Sequence, residues 1–458
     1  MHAWCIPALA GLALVTGQVV ARTPTGDWTV TADSVAAHEA FLASDALRGR
    51  GSATPDEAVA AAYVASQFQS YGLKPAPGLD GYLQTAGVTR PKLSGHAVLT
   101  IGATKAEEGA GLVLLYSSGK PVSGTLAVST VGDPATLPAR DIVLLGQTGA
   151  TPLSAWLRAA ARTGVKLLIV REGADSRALL ARLGGQTGTA RKLEDGRDGM
   201  GGATADLIAV SDAVFDQAAA ADGRAISLDL KGATVERSTT TNAIGWLQGK
   251  DPKAGVILIS AHLDHLGVRS DGVIMHGAND DASGTTAVLE VARALAAGKS
   301  PRRSILFVCY GSEEIGGLGS TFFGAHAPVP LSTVVANLEF EMIGAHDPKM
   351  APGEMMMTGF DRSNLGPTLQ THGARVAPDP YPEQHFFERS DNYSLALQGI
   401  VAHTISGWAV TPTYHDPSDD LAHLDIPFMT RAIQSLIVPV RYLADSDFKP
   451  QWSAGGKP

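Results

Sequence analysis

Apolar and polar positions alternate in blocks through the second half of the chain. The continuous apolar runs "GVILISA", "RRSILFVCY" and "STVVANLEFEM" have the length of buried strands. Between the first two lies "DASGTTAVLEVARALAA", whose apolar spacing predicts a helix. Buried strands that alternate with helices predict a mostly parallel sheet covered on both faces, which is a three-layer α/β/α fold.

The pattern changes between residues 92 and 237. Short β-like runs such as "GLVLLYS", "DIVLLG" and "KLLIV" alternate there with Gly-rich loops and one predicted helix, "PLSAWLRAAARTG". The segment has few histidines and no metal-ligand spacing. We therefore predict a separate β-rich module that carries no chemistry of its own.

The start of the chain has a different character. The apolar run "MHAWCIPALAGLALVTGQVVA" ends in small residues, which predicts a signal peptide over residues 1–21 that is cleaved after Ala21. The mature protein would then be extracytoplasmic, either periplasmic or secreted. A buried N-terminal helix is the alternative, and no other run is long enough to span a membrane.

Length and charge limit the class of protein. With 458 residues, 45% of them hydrophobic, the chain can build a large core and more than one domain. Its formal net charge of −9 argues against a nucleic-acid partner, which requires a basic face. Cys309 is the one cysteine beyond the predicted signal and lies in an apolar run, so we expect it to be an inert core residue.

Acidic and imidazole side chains follow the ends of the predicted strands. Because the carboxyl ends of parallel strands meet at one edge of a sheet, these side chains should lie close together. Two imidazoles with several carboxylates and no thiolate suit zinc or a similar divalent ion. The residues in question are His262, Asp264, Glu313, Glu314, Glu341 and, from loops, Asp280 and His415.

The stretch "HGANDDASG" places two carboxylates, Asp280 and Asp281, side by side. Such close acids repel each other unless a cation lies between them, and one carboxylate can bridge two metals about 3.5–4 Å apart. Taken singly, each element has a simpler explanation, such as a hydrogen-bonded pair, a solvated turn or a helix cap. The metal hypothesis rests on their joint order.

The ordered motifs "AHLDHLG", "GANDDASG", "SEEIGGLGS", "EFEMIG", "RSDNYSLALQGI" and "YHDPSDD" resemble those of secreted co-catalytic dizinc aminopeptidases. These are the bacterial leucyl aminopeptidase type with a protease-associated insert. The resemblance implies that residues 22–91 open the peptidase domain and that residues 92–237 form the insert. Residues 238–447 would form the dizinc peptidase domain, and residues 448–458 a flexible tail.

The resemblance also implies a ligand set and roles for its neighbours. Asp264 would orient His262, Glu313 would be the general base, and Tyr414 would bond the developing oxyanion. The loop of Arg389, Ser390 and Asp391 would face the substrate. Two zinc ions per chain would be held, with Asp280 as the bridge, by His262, Asp280, Glu314, Glu341 and His415.

The chain departs from the family pattern at two positions. Glu341 stands where aspartate usually precedes "MIG", with Glu339 on the same strand as the alternative ligand. Asn392 stands where His or Gln is more common. For His265, close enough to compete as a ligand, we expect a rim or core role, and we expect no metal role for His276, His385 and His403.

The predicted activity is the removal of N-terminal residues from peptide substrates. Three alternatives stay open: an exo-carboxypeptidase, a glutaminyl cyclase of the same fold, or a catalytically inactive binding module. Carboxypeptidase action would need a cationic pocket, and the motifs show no clear arginine cluster. The sequence leaves the oligomeric state undetermined.

Overall fold

The computed structural model describes residues 29–183, 187–199 and 205–458, so the predicted signal peptide over residues 1–21 lies outside the described residues. The helices are α1 (Ala32–Leu42), α2 (Pro55–Ser70), α3 (Leu153–Thr163), α4 (Ala174–Arg182), α5 (Asp212–Ala219), α6 (Ser283–Ala296), α7 (Leu318–Ala325), α8 (Leu365–Thr371), α9 (Asn392–Leu397) and α10 (Ile426–Asp445). Within these ranges, we find no helix with the length and apolarity needed to cross a bilayer.

The strands form two nine-stranded sheets and one two-stranded sheet. They are β1 (Leu83–Lys92), β2 (Ala97–Ile101), β3 (Thr104–Glu108), β4 (Gly111–Ser117), β5 (Val122–Ser129), β6 (Ile142–Leu145), β7 (Leu167–Arg171), β8 (Gly188–Thr189), β9 (Lys192–Leu193), β10 (Asp206–Val210), β11 (Ala225–Leu230), β12 (Thr234–Leu247), β13 (Val256–His262), β14 (Gly267–Val268), β15 (Ile274–Met275), β16 (Ser304–Tyr310), β17 (Val334–Phe340), β18 (Met355–Met357), β19 (Val376–Pro378) and β20 (Ala402–Ser406). The two-stranded sheet is β14-β15.

The first sheet has the order β19-β18-β20-β17-β13-β16-β12-β1-β9. Its centre, β20-β17-β13-β16, is parallel, while β12, β1 and β9 on one side and β18 beside β20 pair antiparallel. The predicted mostly parallel sheet is therefore parallel at its centre and mixed overall. The difference arises because β1 and β12 are joined as an antiparallel ribbon, which an apolar pattern alone does not distinguish from parallel strands.

Both faces of this sheet are covered. All seven residues of β13 are buried. Ile257 and Ile259 pack into one apolar cluster with residues of α1, α2, α6 and α10, whereas Leu258 packs into another with residues of α7 and α9. A strand buried on both sides has no need of polar alternation, which explains its continuous apolar run.

The second sheet lies between β1 and β12 in sequence and has the order β10-β7-β6-β5-β11-β2-β3-β4-β8. It has its own apolar clusters, to which α3 and α5 contribute. The chain leaves the first sheet along β1 and returns along β12, with Lys92 opposite Thr234 at the far end of the ribbon. One short piece of the intervening chain, β9, rejoins the first sheet and pairs with β1.

The C-terminal segment, residues 448–458, which was predicted to be a flexible tail, makes specific contacts with the rest of the chain. Trp452 pairs with Ser363 as an isolated bridge, and its indole Nε1 donates to the carbonyl of Gly399 at 3.2 Å. The amide of Gln451 donates to Oδ1 of Asn364 at 2.8 Å. Gln451 and Trp452 thus connect this segment to Ser363, Asn364 and Gly399.

Candidate metal centre

The predicted ligand residues meet at the carboxyl edge of the first sheet. Strand β13 ends at His262, Glu313 and Glu314 follow β16, and Glu341 follows β17. Because β13 lies between β16 and β17 in parallel register, its neighbours deliver their side chains to either side of His262. Asp280 comes from the turn before α6.

Asp280 stands between two groups of potential ligand atoms. Its Oδ1 lies 3.3 Å from Nε2 of His262, and its Oδ2 lies 3.2 Å from Nε2 of His415. Within each group, the donor atoms all lie within 4.8 Å of one another. One group is His262, Asp280 and Glu341, and the other is His265, Asp280, Glu314 and His415.

The second acid of the pair, Asp281, points elsewhere. The peptide bond that joins Asp280 to Asp281 is cis. The Asp281 carboxylate accepts backbone N–H groups from His262 at 3.2 Å, Gly284 at 2.9 Å and Met342 at 3.0 Å. It therefore connects the ends of β13 and β17 to the start of α6, a structural role that the sequence analysis did not assign.

Asp264 lies beside His262, but its strongest contacts are with the next loop. Its Oδ1 is 3.7 Å from Nδ1 of His262, whereas the backbone amide of Glu313 donates to Oδ1 at 2.9 Å. Ser52 Oγ and the amide of Glu314 donate to Oδ2. Asp264 therefore fixes the turn that carries Glu313 and Glu314, in addition to its place behind the imidazole.

Arg50 is a further residue that the sequence analysis missed. Its guanidinium is fully buried and donates to four backbone carbonyls, at distances between 2.6 and 2.8 Å. Three of these carbonyls belong to the loops that bear the ligands, and the fourth closes α1. They are Leu263, His276, Gly277 and Leu42. The "LRGRGS" stretch signals this residue only through its place at the opening of the domain.

Asp419, in the "YHDPSDD" motif, binds the backbone of the loop that carries Asp280. The backbone amides of Asn279 and Asp280 donate to its two carboxylate oxygens at 2.8 and 3.0 Å. Burial and the charge of Asp280 raise the pKa of Asp419 to about 6 despite these bonds. The Asp419 carboxylate thus holds the backbone at Asp280 in place.

The charged groups in the cluster shift one another's pKa values. Burial raises the pKa of Glu313 well above its usual range, and the nearby carboxylates of Asp391 and Glu314 add to the rise. Asp280 has the opposite shift: burial would raise its pKa, but the adjacent imidazoles of His262 and His415 outweigh burial and hold that pKa well below the usual range. The cluster therefore shifts the pKa values of Glu313 and Asp280 in opposite directions.

Several buried nitrogen and oxygen atoms that could bind a metal have no hydrogen-bond partner. They are Nε2 of His262, both ring nitrogens of His265 and Oε1 of Glu314. Buried polar atoms are almost always satisfied, so a convergent set of lone pairs without partners fits a cation. Imidazole nitrogens and carboxylate oxygens without thiolate are the donors that zinc accepts. The residues present therefore fit a divalent metal pair.

His265 does not lie at a rim, and its side chain is fully buried within the second ligand group. That part of the expectation was wrong. His276 stays outside both groups and pairs with Asp45 at 2.8 Å, while His403 is a core residue bonded to Ser363 and the Thr358 carbonyl. His385 is likewise absent from the groups formed by the described residues.

A cavity opens onto the cluster. Its polar wall contains Asp280, Glu313, Glu314 and Glu341, together with Tyr414, whose ring stacks on His415 at 3.9 Å between centroids. Its apolar wall comprises Met342, Met356, Phe386 and Ala409. From the predicted substrate loop, Arg389 and Ser390 line the cavity, but Asp391 is fully buried behind them and bonded to Ser320.

Glu339, the alternative ligand, lies outside both ligand groups and accepts a hydrogen bond from Ser390 Oγ at 3.1 Å. Asn392, the second position at which the chain departs from the family pattern, is also buried. Its Oδ1 accepts a hydrogen bond from the Thr404 hydroxyl. The geometry therefore favours Glu341, which directly follows β17 and belongs to the same ligand group as His262.

The segment around β9 touches the turn after Glu314. Leu193 packs with Val88 and Leu318, and Ile315 contacts the same small cluster. Gly199 approaches Gly316 so closely that a Cβ on Gly199 would lie 1.9 Å from the Gly316 carbonyl oxygen. The second sheet's chain thus abuts the loop that carries Glu313 and Glu314.

Comparison with known proteins agrees with this geometry. Residues 242–438, which include all five predicted metal ligands, match the model of peptidase family M28. Over this segment, the chain is similar to that family. The resemblance predicted from the motifs is confirmed.

Two curated relatives and one solved structure illustrate the match. The chain is 33% identical over 227 residues to leupeptin-inactivating enzyme 1 of Streptomyces exfoliatus, covering 44% of this chain and 48% of that protein. It is 28% identical over 245 residues to aminopeptidase YwaD of Bacillus subtilis strain 168, covering 50% and 51%. The chain thus spans about half the length of these relatives.

The mixed α/β fold is that of a solved zinc aminopeptidase from Bacillus subtilis, with a TM-score of 0.55 and 18% identity. The likeness extends over 92% of this chain and 98% of the other, and so includes both sheets. The likeness in fold therefore extends well beyond the segment that matches the family model.

Proposed function

We propose that the chain is a zinc-dependent aminopeptidase that holds two zinc ions and removes single residues from peptide N-termini. The observation that carries the proposal is the position of Asp280, with one carboxylate oxygen toward His262 and the other toward His415. The similarity to aminopeptidase YwaD and to the zinc aminopeptidase from Bacillus subtilis supports it.

Zinc bound by these residues would supply Lewis acidity, which makes a water more acidic and stabilises oxyanion charge. Glu313 lines the cavity, belongs to neither ligand group and has a raised pKa. It would take the proton from the attacking water and return it to the leaving amine. Tyr414 lines the same cavity and would donate its hydroxyl to the oxyanion.

The cavity walls suggest how a peptide would be oriented. The carboxylates of Glu313 and Glu341 would attract the free N-terminal ammonium, because charges attract strongly in a shielded cleft. The apolar wall of methionines and Phe386 would take an uncharged side chain of moderate size. Arg389 is the one cationic side chain among the described residues lining the cavity.

Arg389 also gives the carboxypeptidase alternative its strongest support, because an arginine could pair with a substrate's terminal carboxylate. A peptide offered free, N-acetylated and C-amidated separates the two activities. We expect cleavage by the purified zinc-loaded protein to survive amidation and to disappear on acetylation. Cleavage that tolerates acetylation and is abolished by amidation would establish the carboxypeptidase instead.

We also propose the finer architecture that the motifs imply. Residues 92–237 would be a protease-associated insert that narrows access to the site, supported by the contact between Gly199 and Gly316. Residues 22–91 and 238–447 would build the three-layer peptidase domain, supported by helices on both faces of the first sheet. An extracytoplasmic location is supported by the "VVA" ending of residues 1–21.

A further inference from the structure

His265 follows His262 by three residues and lies inside the cluster rather than beside it. Its ring is fully buried, and neither ring nitrogen has a hydrogen-bond partner. Its Nδ1 lies 2.8 Å from Oε1 of Glu314 and 3.8 Å from Oδ2 of Asp280. The nearest polar atoms to this nitrogen are therefore ligand atoms of the proposed metal site.

The spacing of these atoms suits a single ion. Nε2 of His415 lies 3.2 Å from Oδ2 of Asp280 and 3.1 Å from Oε2 of Glu314. Donors at about 2.0–2.1 Å from a tetrahedral zinc are about 3.4 Å apart. The four separations, from 2.8 to 3.8 Å, lie around that value. We propose that His265 is a fourth protein ligand of the ion held by Asp280, Glu314 and His415.

The fold holds the His265 ring in place from three sides. The backbone amide of His265 donates to the Arg50 carbonyl at 3.1 Å, and the Ser52 amide donates to the His265 carbonyl at 3.2 Å. Gly277, at φ +60°, lies against the ring, and a Cβ on Gly277 would come within 2.4 Å of it. A glycine is required there for the ring to reach the cluster.

A hydrogen bond from His265 to Glu314 is the competing explanation. The 2.8 Å contact lacks the alignment of a hydrogen bond, and Oε1 of Glu314 also has no other partner. Two acceptor lone pairs that face the same point fit an ion better than a shared proton. The inference rests on the proposed function, because it assigns one more ligand to the same centre.

The consequence is that the two sites are unequal. His265, Asp280, Glu314 and His415 would close one site with four protein donors, as in structural zinc sites, whereas His262, Asp280 and Glu341 would leave a position open. The first metal added should therefore enter the four-donor site, and the open site should fill later.

The test uses the full chain, stripped by a chelator and titrated with Co²⁺. Imidazole N–H protons of cobalt-bound histidines give strongly shifted NMR resonances. We expect three such resonances in the loaded wild type, from His262, His265 and His415, and two in His265→Phe. The first Co²⁺ should bind the variant at least ~10-fold more weakly, since even losing an indirect partner costs that much. His276→Phe, a nearby histidine outside the cluster, is the matched control.

His265→Gln serves as the second variant if the phenylalanine disturbs folding, which circular dichroism reports. Two shifted resonances in the loaded wild type, or wild-type affinity in both variants, would overturn the proposal. A different result would contradict the proposed function alone: a wild type that binds two ions but cleaves no peptide. In that event, the loss of one resonance in His265→Phe still supports the fourth ligand.

Discussion

Replacement of Arg50 tests whether the opening segment of the domain holds the metal loops in place. Arg50→Met keeps the aliphatic stem but removes the donors to Leu42, Leu263, His276 and Gly277. A buried polar group left without its partner costs about 1–3 kcal/mol. Gly277 keeps a second donor, the amide of Ala282. The other three carbonyls lose their Arg50 donor, and at about 1–3 kcal/mol each the sum is about 3–9 kcal/mol.

Part of this cost is offset, because burial disfavours the charged guanidinium and lowers the pKa of Arg50. We expect a net loss of about 3 kcal/mol or more in the free energy of unfolding. Urea unfolding of chelator-treated protein is the appropriate assay, since bound metal would add its own stabilisation. Affinity for Co²⁺ should also fall ~10–100-fold, as it does when groups that orient ligands are lost.

Arg303→Met is the matched control. Arg303 is also buried and donates to two carbonyls, those of Ala254 and Leu443, but it lies at the opposite end of β16 from Glu313. Its replacement should reduce stability without changing metal affinity. A loss below about 1 kcal/mol in Arg50→Met, or metal affinity reduced equally in both variants, would refute the reasoning.

Three further substitutions test individual carboxylates. Glu313→Gln should keep both metals and lower kcat by about 10²–10⁴, the usual contribution of a general base, and metal loss measured by elemental analysis would show that its role is misassigned. Glu341→Ala should lose one metal while Glu339→Ala keeps two, because Glu341 alone belongs to a ligand group; the reverse result would make Glu339 the ligand.

The sequence predicted the positions of the ligands better than their surroundings. Continuous apolar runs indicate buried parallel strands, and the carboxyl ends of such strands meet at one edge of the sheet. The sequence could therefore predict that His262 and Glu314 lie close together. The contacts of Arg50 with Leu263 cross 213 positions of sequence. Nothing in local periodicity encodes such a contact.

The direction of individual side chains could not be predicted from the sequence either. "HLDHLG" gives the spacing of His265 but not the course of its loop, which Gly51, Ser52 and Gly277 determine. The adjacent acids Asp280 and Asp281 look equivalent in sequence, yet one enters the cluster and the other accepts backbone amides. Tertiary contacts decide both outcomes.

The pairing of β9 with β1 limits how interchangeable the second sheet can be. Lys192 and Leu193 come from that part of the chain but extend the edge of the first sheet, and Gly199 abuts Gly316. A chimera that exchanges this module between relatives would have to carry a compatible short strand and a glycine at the contact. Otherwise the graft would expose Val88 and Leu318 and push on the loop that bears Glu313. In this chain, the module and the catalytic edge have to change together.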